Sequence, residues 1–291
     1  MRLEYLPEPV VHTYLGRVGC CACDRYLVLF RNLFNVVFHR DQTTFLFVGL
    51  VAVQVSTIPL IQKMLSQIKE YYFQLASIFR SSRILACDYG HFRSIRERQA
   101  VNAVGAPIPW YTYPAIEFLN TLDLSECNVF EFGSGNSSIF WAGRTKHVTS
   151  VEDDKQWFEH VQARKQGNQV VLYGKDKASY IAALVNHLQR YDIIVVDGRW
   201  RLACIPASIA ALKPGGFIVL DNSDRSEEKL CADLLRTNGF FQVDFNGFGA
   251  INSYCWSTSI FLKADISITR KLNCGTPVGA LAEPSHSDVI A

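Results

Sequence analysis

Asn128-Val129-Phe130-Glu131-Phe132-Gly133-Ser134-Gly135-Asn136-Ser137-Ser138 begins with an apolar run and places an acid at Glu131. It then turns on two glycines ahead of the helix-compatible segment Ile139–Arg144. That is the shape of a strand, a tight turn and a helix. Glycine suits such a turn because it tolerates positive φ and lets a ligand approach the backbone closely, while the helix start offers unpaired N–H groups.

A second strand-like run, His147 to Val151, ends in Glu152. An acid roughly 20 residues past the glycine loop, at the end of the second strand, is where a nucleotide-type fold holds ribose hydroxyls, because one carboxylate can accept from both members of a vicinal diol. Two ligand types use this arrangement, a nicotinamide or flavin dinucleotide and S-adenosylmethionine. The dinucleotide fingerprint needs a third glycine, whereas Gly135 is followed here by Asn136, Ser137 and Ser138. Glu131 suits a ligand with a cationic amino-acid end, so adenosylmethionine fits better.

At this point the chain resembles the class I S-adenosylmethionine-dependent methyltransferases. The matching residues are Glu131-Phe132-Gly133-Ser134-Gly135, Val151-Glu152, Tyr191-Asp192-Ile193-Ile194-Val195-Val196-Asp197 and Leu212-Lys213-Pro214-Gly215-Gly216. They cover Pro109 to Lys263, and Ser137 stands where the family often has a further glycine. The resemblance implies cofactor contacts from Glu131, Gly133, Ser134, Gly135, Asn136 and Glu152, from Asp176 after the third strand, and from Tyr113 in the stiff segment Ala106–Pro114. Asp176 reads equally as the N-cap of the next helix.

Strands are expected near Asn128–Phe132, His147–Val151, Gln169–Tyr173, Ile193–Val196, Phe217–Leu220, Phe241–Phe245 and Thr258–Leu262. Helices are expected at Ser137–Arg144, Lys155–Gln166, Ser179–Arg190, Ala203–Leu212 and Ser226–Asn238, with only Asn246–Trp256 between the last two strands. The fold class is therefore α/β, a doubly wound, mostly parallel seven-stranded sheet with helices on both faces and an antiparallel last strand. Ligands of such sheets bind outside the carboxyl ends of the strands.

Asp197 follows the fourth strand there, and Asp221 and Asn222 follow the fifth. Converging oxygens of this kind suit Mg²⁺, and they resemble the metal site of the cation-dependent O-methyltransferases, where the ion binds a substrate hydroxyl and lowers its pKa. That resemblance implies Asp197, Asp221 and Asn222 as metal ligands. The lysine base of catechol-type enzymes is replaced by Trp200, which leaves Asp197, Asp224, His91 or the metal alone as the activating group. Arg199, Arg201 and Arg225 stand at the cleft mouth, where guanidinium forks suit carboxylate or phosphate. The expected reaction is methyl transfer to an oxygen of a small molecule or glycan. The alternatives are an NAD(P)-dependent oxidoreductase and a cofactor-binding scaffold without turnover.

With 291 residues the chain has room for one large domain and an appendage, and a net charge of +2 makes no electrostatic case for nucleic acid. Nine scattered cysteines without a pair of Cys-x-x-Cys units read as reduced thiols. Residues 1–80 form an apolar, helical extension. Gln42 to Gln62 carries no charge, so 43–61 is a candidate membrane span. Met64 to Phe79 reads as an amphipathic helix. The catalytic domain is expected at 81–265 and a flexible tail at 266–291. The place of work is then the cytoplasm, or a membrane with the enzyme facing the cytoplasm.

Overall fold

The computed structural model of the protein describes residues 59–185 and 188–280. The chain divides into two compact units, residues 1–78 and 79–291. The described part of the first lies in helix α1 (Pro59–Arg83), which starts earlier and ends later than the sequence pattern predicts. Its residues from Gln62 onward are exposed. Among the described residues no helix is long and apolar enough to cross a membrane, and the expected span as far as Ile58 lies outside them.

The second unit opens with α2 (His91–Glu97) and α3 (Tyr113–Asn120). Strands and helices then alternate as β1 (Asn128–Phe132), α4 (Asn136–Ala142), β2 (His147–Glu152), α5 (Lys155–Arg164), β3 (Gln169–Tyr173), α6 (Lys177–Val185), β4 (Tyr191–Val196), α7 (Arg201–Ala211), β5 (Leu212–Asp221), α8 (Ser226–Thr237), β6 (Phe241–Gly247) and β7 (Trp256–Leu262). The sheet order is β3-β2-β1-β4-β5-β7-β6. β3 through β5 are parallel, and β7 runs antiparallel to both β5 and β6. β5 begins at Leu212, ahead of the predicted start, because Leu212 pairs with Tyr191 before a register shift.

Side chains alternate across the sheet and both faces are covered, as a parallel sheet requires. Val129, Ile193, Val195, Phe217 and Val219 enter one core with Tyr111, Leu119, Phe140 and Trp141. Phe130, Phe132, Ile194, Val196, Ile218 and Leu220 enter the other with Tyr180, Leu184, Ile205 and Leu235.

Of the expected tail, residues 266–280 are described. Backbone bonds tie Ser267 to Gly215, Asp123 to Thr269 and Lys271 to Thr121. Residues 281–291 lie outside the described part.

Candidate active site

At the end of β1 the chain turns on Gly133, whose φ of +97° lies in the left-handed region and whose N–H donates to Val151 O at 2.9 Å. The loop that follows is held from below and from the side. Below it, Glu131 is 1 % exposed and accepts a short hydrogen bond from Ser138 Oγ. The same Ser138 oxygen accepts from the Gly135 N–H at 3.1 Å. Burial pushes the Glu131 carboxyl up to about 7, with Ser137 and Ser138 opposing and the charge of Glu152 adding to the rise.

From the side, Glu152 Oε2 accepts from both the N–H and the hydroxyl of Ser134 at 3.1 Å. Its Oε1 accepts from the N–H groups of Asp153 and Asp154, also at 3.1 Å. Every acceptor position of this carboxylate is in use. Burial raises its pKa, and the Asp154 N–H, the strongest of its hydrogen-bonding partners in opposing this, pulls it back. Trp157 in α5 adds a third tie, donating its indole N–H to Ser134 O at 2.7 Å.

Gly135 has extended backbone, and an added Cβ would meet only the Trp157 ring, at 3.7 Å. Neither conformation nor protein packing demands glycine there, so the space it leaves is available to a ligand. Asn136 does not point into that space, since its amide donates to Ala100 O at 2.9 Å. Asp176 is exposed and caps α6, accepting from the N–H and the hydroxyl of Ser179 at 2.8 Å each.

The two tyrosines of the segment before α3 are placed differently. Tyr113 begins α3 and turns away, lying against Tyr89 at 4.5 Å, with its hydroxyl 3.3 Å from His91 Nδ1. His91 is itself occupied, its Nδ1 lying 3.0 Å from the acceptor Gly249 O, and burial lowers its pKa. It is Tyr111, fully buried and with the Trp141 side chain as a hydrogen-bonding neighbour, that senses the charges of Glu131, Asp197 and Asp221.

Those acids meet at the ends of β1, β4 and β5. Asp221 is 3 % exposed, and its Oδ1 accepts from Trp256 Nε1 at 3.0 Å and Thr258 Oγ1 at 2.6 Å. Thr258 Oγ1 also accepts from the Thr112 N–H at 3.0 Å, which stitches the segment before α3 to the sheet. Burial raises the carboxyl pKa of both Asp197 and Asp221. The two charges oppose each other, and Arg201 favours the ionised form of each.

Arg201 is the residue whose role the sequence reading missed. Trp200, at φ +52°, turns the chain left-handed just before α7 and folds Arg201 back over the strand ends. Its Nε donates to Gly198 O at 3.1 Å and its Nη1 to Asp221 O at 2.5 Å. Its Nη2 donates to Asp197 Oδ1 at 3.0 Å and Asn222 Oδ1 at 3.3 Å. Glu228 Oε1 lies 3.5 Å from Nη1. Two members of the donor set predicted for Mg²⁺, Asp197 and Asn222, are therefore engaged by a guanidinium, and nothing among the described residues supports a metal there. Arg199 turns outward to Asp153, bridging the ends of β4 and β2 at 2.8 Å.

Asp224, the second expected catalytic acid, is not brought to this centre. It accepts from the Ser257 N–H at 3.0 Å and lines a separate depression of about 340 Å³ with Lys229, Arg236 and Asp244.

No protein-family profile matches the chain, and no curated protein sequence matches it. Among solved structures it is similar to a caffeoyl-CoA O-methyltransferase-like protein of Staphylococcus aureus, at 17% identity over 68% of this chain and 100% of that one, with a TM-score of 0.42. It is also similar to the precorrin-6y C5,15-methyltransferase of Geobacter metallireducens, at 14% identity over 52% and 87% of the two chains, with a TM-score of 0.41. Spermidine synthase of Thermotoga maritima is similar too, at 15% identity over 54% and 58%, with a TM-score of 0.40. The strand order β3-β2-β1-β4-β5-β7-β6, with β7 antiparallel and a glycine turn after β1, makes this a Rossmann-like α/β fold, the doubly wound, mostly parallel seven-stranded sheet expected of the sequence.

Proposed function

We propose that the protein is an S-adenosylmethionine-dependent methyltransferase acting on an oxygen of a small molecule or glycan. The observation that carries this reading is the pairing of Glu131 and Ser138 beneath the glycine loop. Ser138 occupies the position where a dinucleotide fold needs a bare glycine, and its side chain is used to hold the loop against a buried acid. When bound, the cofactor supplies an electrophilic methyl group on a sulfonium, and the chain has to hold it and prepare the acceptor. Glu131 would accept the cofactor's ammonium. Glu152 would give up its Ser134 hydroxyl to the ribose diol, and Gly135 leaves room beside Trp157. Asp197, held by Arg201 through Oδ1, takes the acceptor's proton on Oδ2. A second reading, transfer to an amine, is favoured by the gathering of Glu131, Asp197 and Asp221 in one place, and mass analysis of the methylated product separates the two.

Calorimetric titration of the full chain with S-adenosylhomocysteine, and separately with NADH, tests the reading. Homocysteine-product binding is expected, and Glu152→Ala should weaken it by about 1–3 kcal/mol through unpaired hydroxyls. Glu131 sits near 7 and binds the ammonium only when ionised, so affinity should rise about tenfold from pH 6 to pH 8. Affinity that is flat or falling over that range would remove Glu131 from the site. Binding of NADH in place of the homocysteine product would overturn the methyltransferase reading.

The extension is proposed to associate with a membrane surface on its cytoplasmic side. Helix α1 exposes Met64, Leu65, Ile68, Tyr71, Phe73 and Ile78 and follows the uncharged stretch 42–62. The full chain should float with phospholipid vesicles in a density gradient, and a chain that stays at the bottom with vesicles present would argue against the association.

A further inference from the structure

A buried cluster of carboxylates needs a cation, since an unpaired ionised carboxylate out of water costs several kcal/mol. At the ends of β4 and β5 that need is met from within the chain. Arg201 is 13 % exposed, and Nε, Nη1 and Nη2 all have acceptors in Gly198 O, Asp221 O, Asp197 Oδ1 and Asn222 Oδ1, with Glu228 beside them. An ion cannot share these atoms. Mg²⁺ needs a near-octahedral oxygen shell at about 2.0–2.1 Å, yet Asp197 Oδ1 and Asn222 Oδ1 both face one guanidinium nitrogen. Asp221 Oδ1 is meanwhile held by Trp256 and Thr258. A guanidinium in the middle would also repel a dication at contact distance.

The arrangement is anchored by backbone that side chains rarely adopt. Trp200, which precedes Arg201 in the chain, has φ +52°, and Asn222, which accepts from it, has φ +55°. The Trp200 ring is pinned edge-on by Tyr180, 5.4 Å away, so the turn that aims Arg201 inward is supported by the core beneath it.

We propose that Arg201 is the resident cation of this centre, standing where related sites would hold a divalent ion and positioning Asp197 so that Oδ2 faces the acceptor. What Asp197 does there rests on the methyltransferase reading, but the occupancy of the cation's place does not. The consequence for substrate is chemical. With no ion to bridge, the acceptor needs one nucleophilic atom within reach of Asp197, and not a pair of vicinal oxygens able to chelate.

The test is a Mn²⁺ titration followed by electron paramagnetic resonance, on the full chain, with homocysteine-product binding measured alongside. The wild type should take up no Mn²⁺ at concentrations up to about 1 mM, and its activity should be unchanged by a chelator. Arg201→Ala empties the cage and should bind Mn²⁺ at least tenfold more tightly than wild type, a gain that adding Asp197→Asn removes. Arg201→Lys, which keeps a charge, should stay metal-free. Stoichiometric Mn²⁺ binding by the wild type, weakened by Asp197→Asn or Asp221→Asn, would overturn the proposal, as would a folded Arg201→Ala that gains none. Where Arg201→Ala does not fold, the wild-type titration alone decides. Failure of the wild type to bind the homocysteine product would sink the methyltransferase reading while leaving the Mn²⁺ result to judge Arg201.

Discussion

Asp197→Asn should lower kcat for methyl transfer by about 10²- to 10⁴-fold, the range for removing a positioned general base, with KM for the cofactor little changed. The substitution is close to isosteric. Asparagine keeps an oxygen for Arg201 Nη2, which now bonds Asp197 Oδ1 at 3.0 Å, and loses only the ability to accept a proton at the other position. Burial holds the Asp197 carboxyl above the ordinary carboxylate range, and the charge of Glu131 adds to this. The wild-type rate should accordingly rise with pH through an inflection above that range, and the variant should lose the inflection as well as the rate. Thermal unfolding serves as the control, since a variant whose Tm is unchanged has lost chemistry and not fold. A kcat within a few-fold of wild type would move the base elsewhere and leave Asp197 as a counter-ion to Arg201.

That three acids meet here was legible in the sequence through strand parity. Glu131 is two positions past Val129, Asp197 two past Val195 and Asp221 two past Val219, and all three valines enter the same core. Because side chains alternate with period two, and because Glu131 pairs with Val195 and Val195 with Val219 across the sheet, the acids share one face by register alone. The segment that covers them was also visible, as a proline-stiffened stretch ahead of α3, but which tyrosine it offers was not. Tyr111 and Tyr113 are two apart and would share a face if both were extended. Tyr113 is already the first residue of α3, so its direction is set by the helix.

Arg201 was not legible for a related reason. Its position at the start of α7 reads as the rim of a cleft, and it turns inward only because Trp200 adopts a conformation that its residue type disfavours. The ties of Glu152 and Trp157 to Ser134 depend on loop contacts that no periodicity encodes. They show the Glu152 carboxylate already saturated by the protein, a state that a motif cannot convey.

Gly198 is another residue the motif reading passed over, and it carries the largest expected effect on stability. A Cβ there would lie 1.9 Å from Tyr180 Oη, 2.9 Å from Gly133 N and 3.0 Å from Phe132 C. The tyrosine cannot swing aside easily. It is fully buried, with Phe132 at 5.5 Å and Trp200 at 5.4 Å between ring centroids. Overpacking of a tight core costs typically 1–3 kcal/mol and sometimes more, so Gly198→Ala should destabilise by about 3 kcal/mol, which is a fall in Tm of about 6–12 °C for a domain of this size. The same clash pushes on Gly133, so cofactor affinity should fall with stability. Among the described residues the Tyr180 hydroxyl makes no hydrogen bond of good geometry, with only the Arg199 backbone acting on it as a hydrogen-bonding group, and removing so poorly satisfied a buried hydroxyl is close to neutral or stabilising. Tyr180→Phe alone should then leave Tm unchanged or raise it. In the Tyr180→Phe background the cost of Gly198→Ala should shrink by about 1 kcal/mol or more, the non-additivity expected of residues in direct contact. Strict additivity in that double-mutant cycle would mean that the cost of Gly198→Ala comes from displacing the Gly133 loop, and it would locate the rigidity of this end of the sheet in the turn after β1 and not in the aromatic core beneath it.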